Sequence, residues 1–167
     1  MKIIKRNGEE VIFDITICFG PMYHLKTQEE RLKALEEIKR VTKKDGIIFA
    51  AYILNEYAVL QYCFGKNKIR ELLEKGALSD DFHCVTAPED LYSYLRIEDI
   101  NEIQHKSGLE RIKMFSQEGA ADFMRVQLNA MDEETFRLFT EYTISISERP
   151  ELLGAGTHLV DVLRNVK

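Results

Sequence analysis

Val11-Ile12-Phe13-Asp14-Ile15-Thr16-Ile17-Cys18-Phe19, followed by Gly20-Pro21-Met22-Tyr23-His24-Leu25, is the stretch that decides the fold. Its first nine residues are β-branched, aromatic or thiol-bearing, with only Asp14 and Thr16 polar. Near-continuous apolarity of that length predicts a parallel strand covered on both faces. Thr27-Gln28-Glu29-Glu30 follows and reads as a capping box, the Thr27 hydroxyl meeting the Glu30 amide and the Glu30 carboxylate reaching back. Leu32, Leu35, Ile38 and Val41 then recur at helical spacing, with Glu36, Glu37, Lys39 and Arg40 towards the other side. Lys43 and Lys44 are expected in the last helical turn, where the dipole favours cations, and Gly46 is expected to stop the helix. Asp45-Gly46 turns the chain into a second apolar run, Ile47 to Ile53. The unit is strand–helix–strand, and its strands are expected to be parallel neighbours.

Ligands in open α/β sheets sit beyond the carboxyl ends of the strands. Phe19 to Leu25 leaves such an end. Gly20 lets backbone approach a ligand and Pro21 stiffens the loop. Tyr23 adds an aromatic face and His24 a ring that titrates near neutrality, a candidate general base. The alternative for His24 is a hydrogen bond to its own loop. Asp14, near the strand's start, is assigned a structural role satisfied by neighbouring backbone. Cys18 is assigned to the core, since a buried thiol without an activating cation is inert.

Phe13-Asp14-Ile15-Thr16-Ile17-Cys18-Phe19-Gly20-Pro21-Met22-Tyr23-His24-Leu25, with Arg31 to Leu35 and Val41 to Gly46, resembles class I S-adenosylmethionine-dependent methyltransferases. It is similar to their fourth strand, the next helix and the fifth strand, and Tyr92 to Arg164 is similar to the family's end. The resemblance implies a Rossmann-like α/β methyltransferase sheet, truncated to its last four strands with flanking helices and a final antiparallel strand inserted between the fifth and sixth. It implies S-adenosylmethionine as cofactor, with Phe19, Gly20 and Tyr23 bordering it, His24 as the catalytic candidate and a small-molecule acceptor. No G-x-G precedes Val11, and Gly154-Ala155-Gly156 stands before a presumed strand, the wrong context for a cofactor loop. The expectation is a chain that keeps one wall of the cofactor pocket and lacks the other, inactive by itself. A sheet cut beside a central strand exposes unpaired amides and carbonyls, so a homodimer or a complementing chain is expected to pair along Val11–Phe19. A non-catalytic association module that uses the same edge is the competing reading.

The 167 residues suffice for one domain, 1–167, with a real core. A net charge of −5 argues against a general nucleic-acid binder, and no apolar stretch approaches membrane-spanning length. Cys18, Cys63 and Cys84 are an odd number without metal spacing, so reduced thiols, a cytoplasmic location and no bound metal are expected. His83-Cys84 could be half of a metal site but has no further ligands at zinc spacing.

The remaining elements follow from local signals. Asn7-Gly8 predicts a tight hairpin in which Arg6 faces Glu9, Lys5 faces Glu10, Ile4 meets Val11 and Ile3 meets Ile12. Asn55 is expected to cap a helix over 56–63 with Tyr57, Leu60 and Phe64 on its apolar side, and Asn67 to cap another with Ile69, Leu72 and Leu73 inward. Ala77 to Pro88 reads as loop. Ile97, Ile100 and Ile103 make a helix stripe stopped by Gly108. Leu109 to Phe115 reads as a strand, Gly119 to Ala130 as helical, and Asp132 caps a helix carrying Phe136, Phe139 and Tyr142. These stripes are expected to be core. Thr157 to Val166 is the last strand, with Leu159 and Leu163 on one face, His158, Val160 and Val162 on the other, and Asp161 discordant.

Overall fold

A computed structural model describes residues 12–166, preceded by the backbone pairing of β1 (Lys5–Arg6) with β2 (Glu9–Glu10). That pairing is antiparallel, with Arg6 opposite Glu9 and Lys5 opposite Glu10, the register that the Asn7-Gly8 turn predicts. The pairs Ile4 with Val11 and Ile3 with Ile12 lie outside the described residues.

The main sheet has four strands in the order β3 (Phe13–Cys18), β4 (Thr42–Ile53), β6 (His158–Arg164), β5 (Glu110–Ser116). β3 and β4 are parallel, with Ile15 opposite Ile47 and Cys18 opposite Ala50. β6 is antiparallel to both its neighbours. The expected order is therefore met: two parallel strands, then a final antiparallel strand inserted before the one preceding it.

α2 (Gln28–Val41) joins β3 to β4, and its capping box is formed as the sequence dictates: Glu30 N donates to Thr27 Oγ1 at 3.2 Å and Thr27 N to Glu30 Oε2 at 2.9 Å. Its end differs from expectation. The helix stops at Val41, four residues ahead of Asp45, and Lys39 and Arg40, rather than Lys43 and Lys44, occupy its last turn. The cause is Asn165, buried, whose Nδ2 donates to Lys39 O at 3.0 Å and Thr42 O at 2.8 Å and so satisfies carbonyls at the helix end. Gly46 is thus no helix stop. It sits in a bulge of β4, across which the register jumps from Phe13–Thr42 to Ile15–Ile47. A Cβ there would lie 2.9 Å from Lys43 O and 3.0 Å from Asp14 O, so close backbone approach is what requires glycine. Asp45 takes the left-handed turn instead, at φ 62°.

One face of the sheet carries the core. Ile48, Ala50, Tyr52, Leu159 and Leu163 meet Leu35 of α2 and Ile100 and Ile103 of α5 (Ile97–Ser107), which ends at left-handed Gly108 as its sequence predicts. Val160, Val162 and Ala51 form a smaller cluster on the opposite face, which confirms the alternation expected in β6. Cys18 is buried, and burial pushes its thiol up to about 11, so it belongs to the core.

Beyond β4 the expected caps fail. α3 (Asn55–Tyr57) has Leu54 at its cap position, without a capping side-chain bond, and runs into a π-helical stretch, Ala58–Phe64. Asn55 caps nothing. It is buried and clasps the loop ahead, accepting from Cys84 N at 2.7 Å and donating to Phe82 O at 3.1 Å. The π winding, with Gly65 N bonded to Leu60 O, rephases the helix, so Val59 and Cys63 turn inward while Leu60 and Phe64 are exposed. α4 (Ile69–Glu74) is preceded by Lys68, not Asn67, at its cap; Ile69 and Leu72 pack inward but Leu73 does not. Among α6 (Arg125–Asn129) and α7 (Glu133–Ile146) no residue is buried. Asp132 caps α7 through Thr135 N at 2.9 Å as expected, but Phe136 and Tyr142 are exposed and do not form core. No helix among the described residues is long and apolar enough to cross a membrane.

Candidate functional site

β3 ends at Cys18, and the chain turns through Gly20, at φ 121°, into α1 (Pro21–His24), with Pro21 as its first residue. Met22 is completely buried and plugs this short helix into the core. Arg31 then secures the loop. Only 3% exposed, it donates from Nε to Met22 O at 2.9 Å and from one Nη to Leu25 O at 2.7 Å and Ser93 Oγ at 2.6 Å. Ser93 returns a bond to Leu25 O at 2.8 Å, and its amide donates to Tyr23 O at 2.8 Å. Lys26 Nζ donates to Asp90 O, and His24 Nδ1 lies 3.0 Å from Leu91 O. The segment 90–95 is therefore laced onto the strand-end loop.

That lacing gathers four rings. Tyr23 stands 5.1 Å from His24, 6.0 Å from Tyr92 and 6.1 Å from His158, and His24 stands 5.2 Å from Tyr92. Tyr92 and His158 in turn line a cavity of about 750 Å³ that also meets Ile53, the last residue of β4, together with Tyr57, Tyr94 and Asp122. β6 begins at His158, so the cavity opens at the end of the sheet where β3 and β4 finish.

Of the sequence-derived candidates, the Tyr23 ring stands beside two cavity residues, Tyr92 and His158, and the His24 ring beside one, Tyr92. Neither lines the cavity, nor do Phe19 and Gly20. His24 is exposed, and its hydrogen bond goes to Leu91 O in the neighbouring segment rather than to its own loop. Phe19 is 52% exposed, and the space over Gly20 is open, with Tyr23 Oη the nearest atom at 3.9 Å. Asp14 is held by Lys43 Nζ at 2.8 Å, not by neighbouring backbone as expected, and that bond lowers its pKa. His83 Nε2 lies 3.0 Å from Asp99, and no group of three His, Cys, Asp or Glu that could hold a metal occurs among the described residues.

The cavity residues that sequence reasoning passed over are arranged around Glu118. Its Oε1 accepts from Thr157 N at 2.7 Å and His158 N at 2.6 Å, and its Oε2 lies 3.4 Å from His158 Nδ1. The Glu118 carboxylate is the main cause of an upward shift in the His158 pKa. Asp122 accepts from Thr157 Oγ1 at 2.8 Å and pairs with Arg125, whose hydrogen bond lowers its pKa. The sequence signal was present, an ionisable ring at the first position of a strand, but its carboxylate lies forty residues earlier in the chain, at Glu118.

A S-adenosylmethionine-dependent methyltransferase from Methanosarcina mazei shares this fold, with a TM-score of 0.51 at 10% identity; the match covers 92% of this chain and 59% of that one. A cyclopropane synthase from Mycobacterium tuberculosis is fainter in likeness, with a TM-score of 0.44 at 15% identity over 92% of this chain and 55% of that one, too weak to add to the assignment. No protein-family model matches the chain. No curated protein matches it either. The fold is thus that of part of a class I methyltransferase, and the chain spans 59% of the length of the Methanosarcina mazei structure.

At the end of β3, Phe19 is half-exposed and the backbone at Gly20 is open, so a cofactor held there would meet these two residues. Beyond β3 this sheet has no further strand among the described residues, so a cofactor at its end would have the sheet on one side only.

Proposed function

We propose that this chain is a methyltransferase-like α/β unit that serves S-adenosylmethionine-dependent methyl transfer to a small molecule and is inactive until a second edge completes its sheet. β3 lies at the margin of the sheet, with Ile15 58% and Ile17 63% exposed beside the strand-end loop, and this observation carries the reading. The completing edge is a second copy of the chain or a complementing polypeptide along Val11–Phe19. Phe19, Gly20 and Tyr23 would border the cofactor, and His24, which stands against Tyr92 of the cavity wall, would help to orient the acceptor from behind that ring. Three cysteines without a disulfide suit a reducing compartment such as the cytoplasm.

The test is calorimetry with light scattering. The monomeric chain takes up no S-adenosylmethionine at millimolar concentration, and a paired form does. Micromolar binding by a monomer overturns the proposal. The same exposed edge also suits a non-catalytic association module, and a paired form that still binds no cofactor would favour that reading.

A further inference from the structure

The cavity at the strand ends carries more chemical information than the loop beside it. Tyr57, Tyr92, Tyr94 and Phe123 give it aromatic walls, with Tyr57 and Phe123 meeting edge to face at 5.8 Å. Its charges are mostly engaged: Asp122 with Arg125, and His158 with Glu118. Two groups are left over. Lys66 lines the cavity, is exposed, and its ammonium has no partner among the described residues. His158 is half-buried, held at Nδ1 by Glu118, and its Nε2 has no partner among the described residues. A ligand that satisfies this site presents a flat ring to the aromatic walls, an anion to Lys66 and a hydroxyl to His158. The hydroxyl can either donate to a neutral imidazole or accept from a protonated one.

We propose that this cavity binds a planar aromatic carboxylate bearing a ring hydroxyl, with the ring against Tyr57, Tyr92 and Phe123, the carboxylate at Lys66 and the hydroxyl at His158. As the acceptor class for the activity proposed above, this rests on that reading, but the binding itself does not require it. A volume of about 750 Å³ exceeds one ring and accommodates fused or substituted ones.

The chain without cofactor is titrated calorimetrically at low ionic strength with para-hydroxybenzoate, benzoate and tyramine. Para-hydroxybenzoate is expected to bind at millimolar Kd or tighter. Tyramine, with the same hydroxyl but a cation in place of the anion, binds at least about tenfold more weakly. Lys66→Gln, at an exposed position, weakens para-hydroxybenzoate about threefold and narrows its lead over tyramine. Benzoate binds more weakly than para-hydroxybenzoate in the native chain, and His158→Ala removes that difference. Tyramine binding as well as para-hydroxybenzoate, benzoate binding as well as its hydroxylated relative, or no probe binding at millimolar concentration overturns the proposal. Probe binding by a chain whose paired form shows no methyl transfer leaves this site standing and sinks only the activity.

Discussion

β3 and β6 are both short and mostly apolar, and each carries one aspartate, yet they lead opposite lives. β6 lies between β4 and β5 and buries every residue from Leu159 to Leu163. β3 has one neighbour and leaves Phe13, Ile15 and Ile17 in the open. The aspartates follow suit. Asp161 is 0% exposed and takes two bonds from Arg111, from Nε at 2.8 Å and from Nη2 at 2.7 Å; burial pushes its carboxyl up against the pull of that guanidinium. Asp14 is exposed, and its ion-pair partner is Lys43. The difference teaches that strand position, not strand composition, sets what a charge is worth.

The sharpest way to break this comparison is to remove each cation. Arg111→Ala strands a carboxylate inside the sheet and is expected to lower the unfolding free energy by roughly 3–5 kcal/mol, read from urea titration. Replacing the pair together, Arg111→Met with Asp161→Leu, should recover most of that loss, because no buried charge remains. Lys43→Ala removes an exposed partner and should leave the urea midpoint almost unchanged. Equal losses at the two aspartates would refute the claim that burial decides.

A second test concerns the loop that β3 feeds. Arg31→Lys keeps the charge but loses the fork that bonds Met22 O, Leu25 O and Ser93 Oγ at once. The expected destabilisation is about 1.5–3 kcal/mol, with proteolytic nicking of 90–95 increasing before global unfolding. Unchanged protease resistance would mean that Met22 alone anchors the loop.

Arg31 also marks where sequence reading reached its limit. The strand–helix–strand unit was legible because its signals are local: an apolar run, a capping box and a 3.6-residue stripe all lie within a few turns of one another. The order of the sheet was legible through resemblance. Arg31 was visible only as one more cation on a helix, since its three acceptors belong to segments six to sixty-two residues away. The end of α2 was misplaced for the same reason, because Asn165 comes from the far end of the chain. Leu60 and Phe64 were misread because an α-helical phase was laid over a π-helical turn, which sequence periodicity does not announce. At the cavity, Tyr23 and His24 stand against its wall without lining it, while the Glu118–His158 pair and the tyrosine walls depended on tertiary packing.

A smaller effect probes the sheet end where the two strands meet the cavity. His158 is faced by Glu118 and Asp122, which both favour its charged form, and shares the cavity with Arg125 and Lys66. Its folded pKa is raised above 6.5, so the stability it contributes is complete below that value and fades as pH rises through the folded pKa. Glu118→Gln keeps an oxygen for the Thr157 and His158 amides but removes the charge. The gap in stability between native chain and variant should therefore be larger at about pH 6 than at about pH 8, by less than about 1 kcal/mol for a half-buried pair. A gap that widens with rising pH would reverse the assigned sign.

The smallest expected change is the most informative about β3. Ile17→Ala removes three carbons from a side chain that is 63% exposed, and in dilute solution it should move the unfolding free energy by no more than about 0.5 kcal/mol. The comparable truncation in β6, Leu159→Ala, empties a site with no exposure and should cost about 2–5 kcal/mol. Concentration then separates an idle edge from a docking edge. If β3 pairs with a second chain, Ile17 becomes covered in the complex, and the variant loses stability relative to the native chain only as protein concentration rises, with light scattering showing a weaker association. If the two chains differ equally little at every concentration, Ile17 stays in water throughout, and its exposure reflects an ordinary sheet margin with no partner. A large loss already present in dilute solution would instead mean that β3 is packed within its own chain and that its contrast with β6 is false.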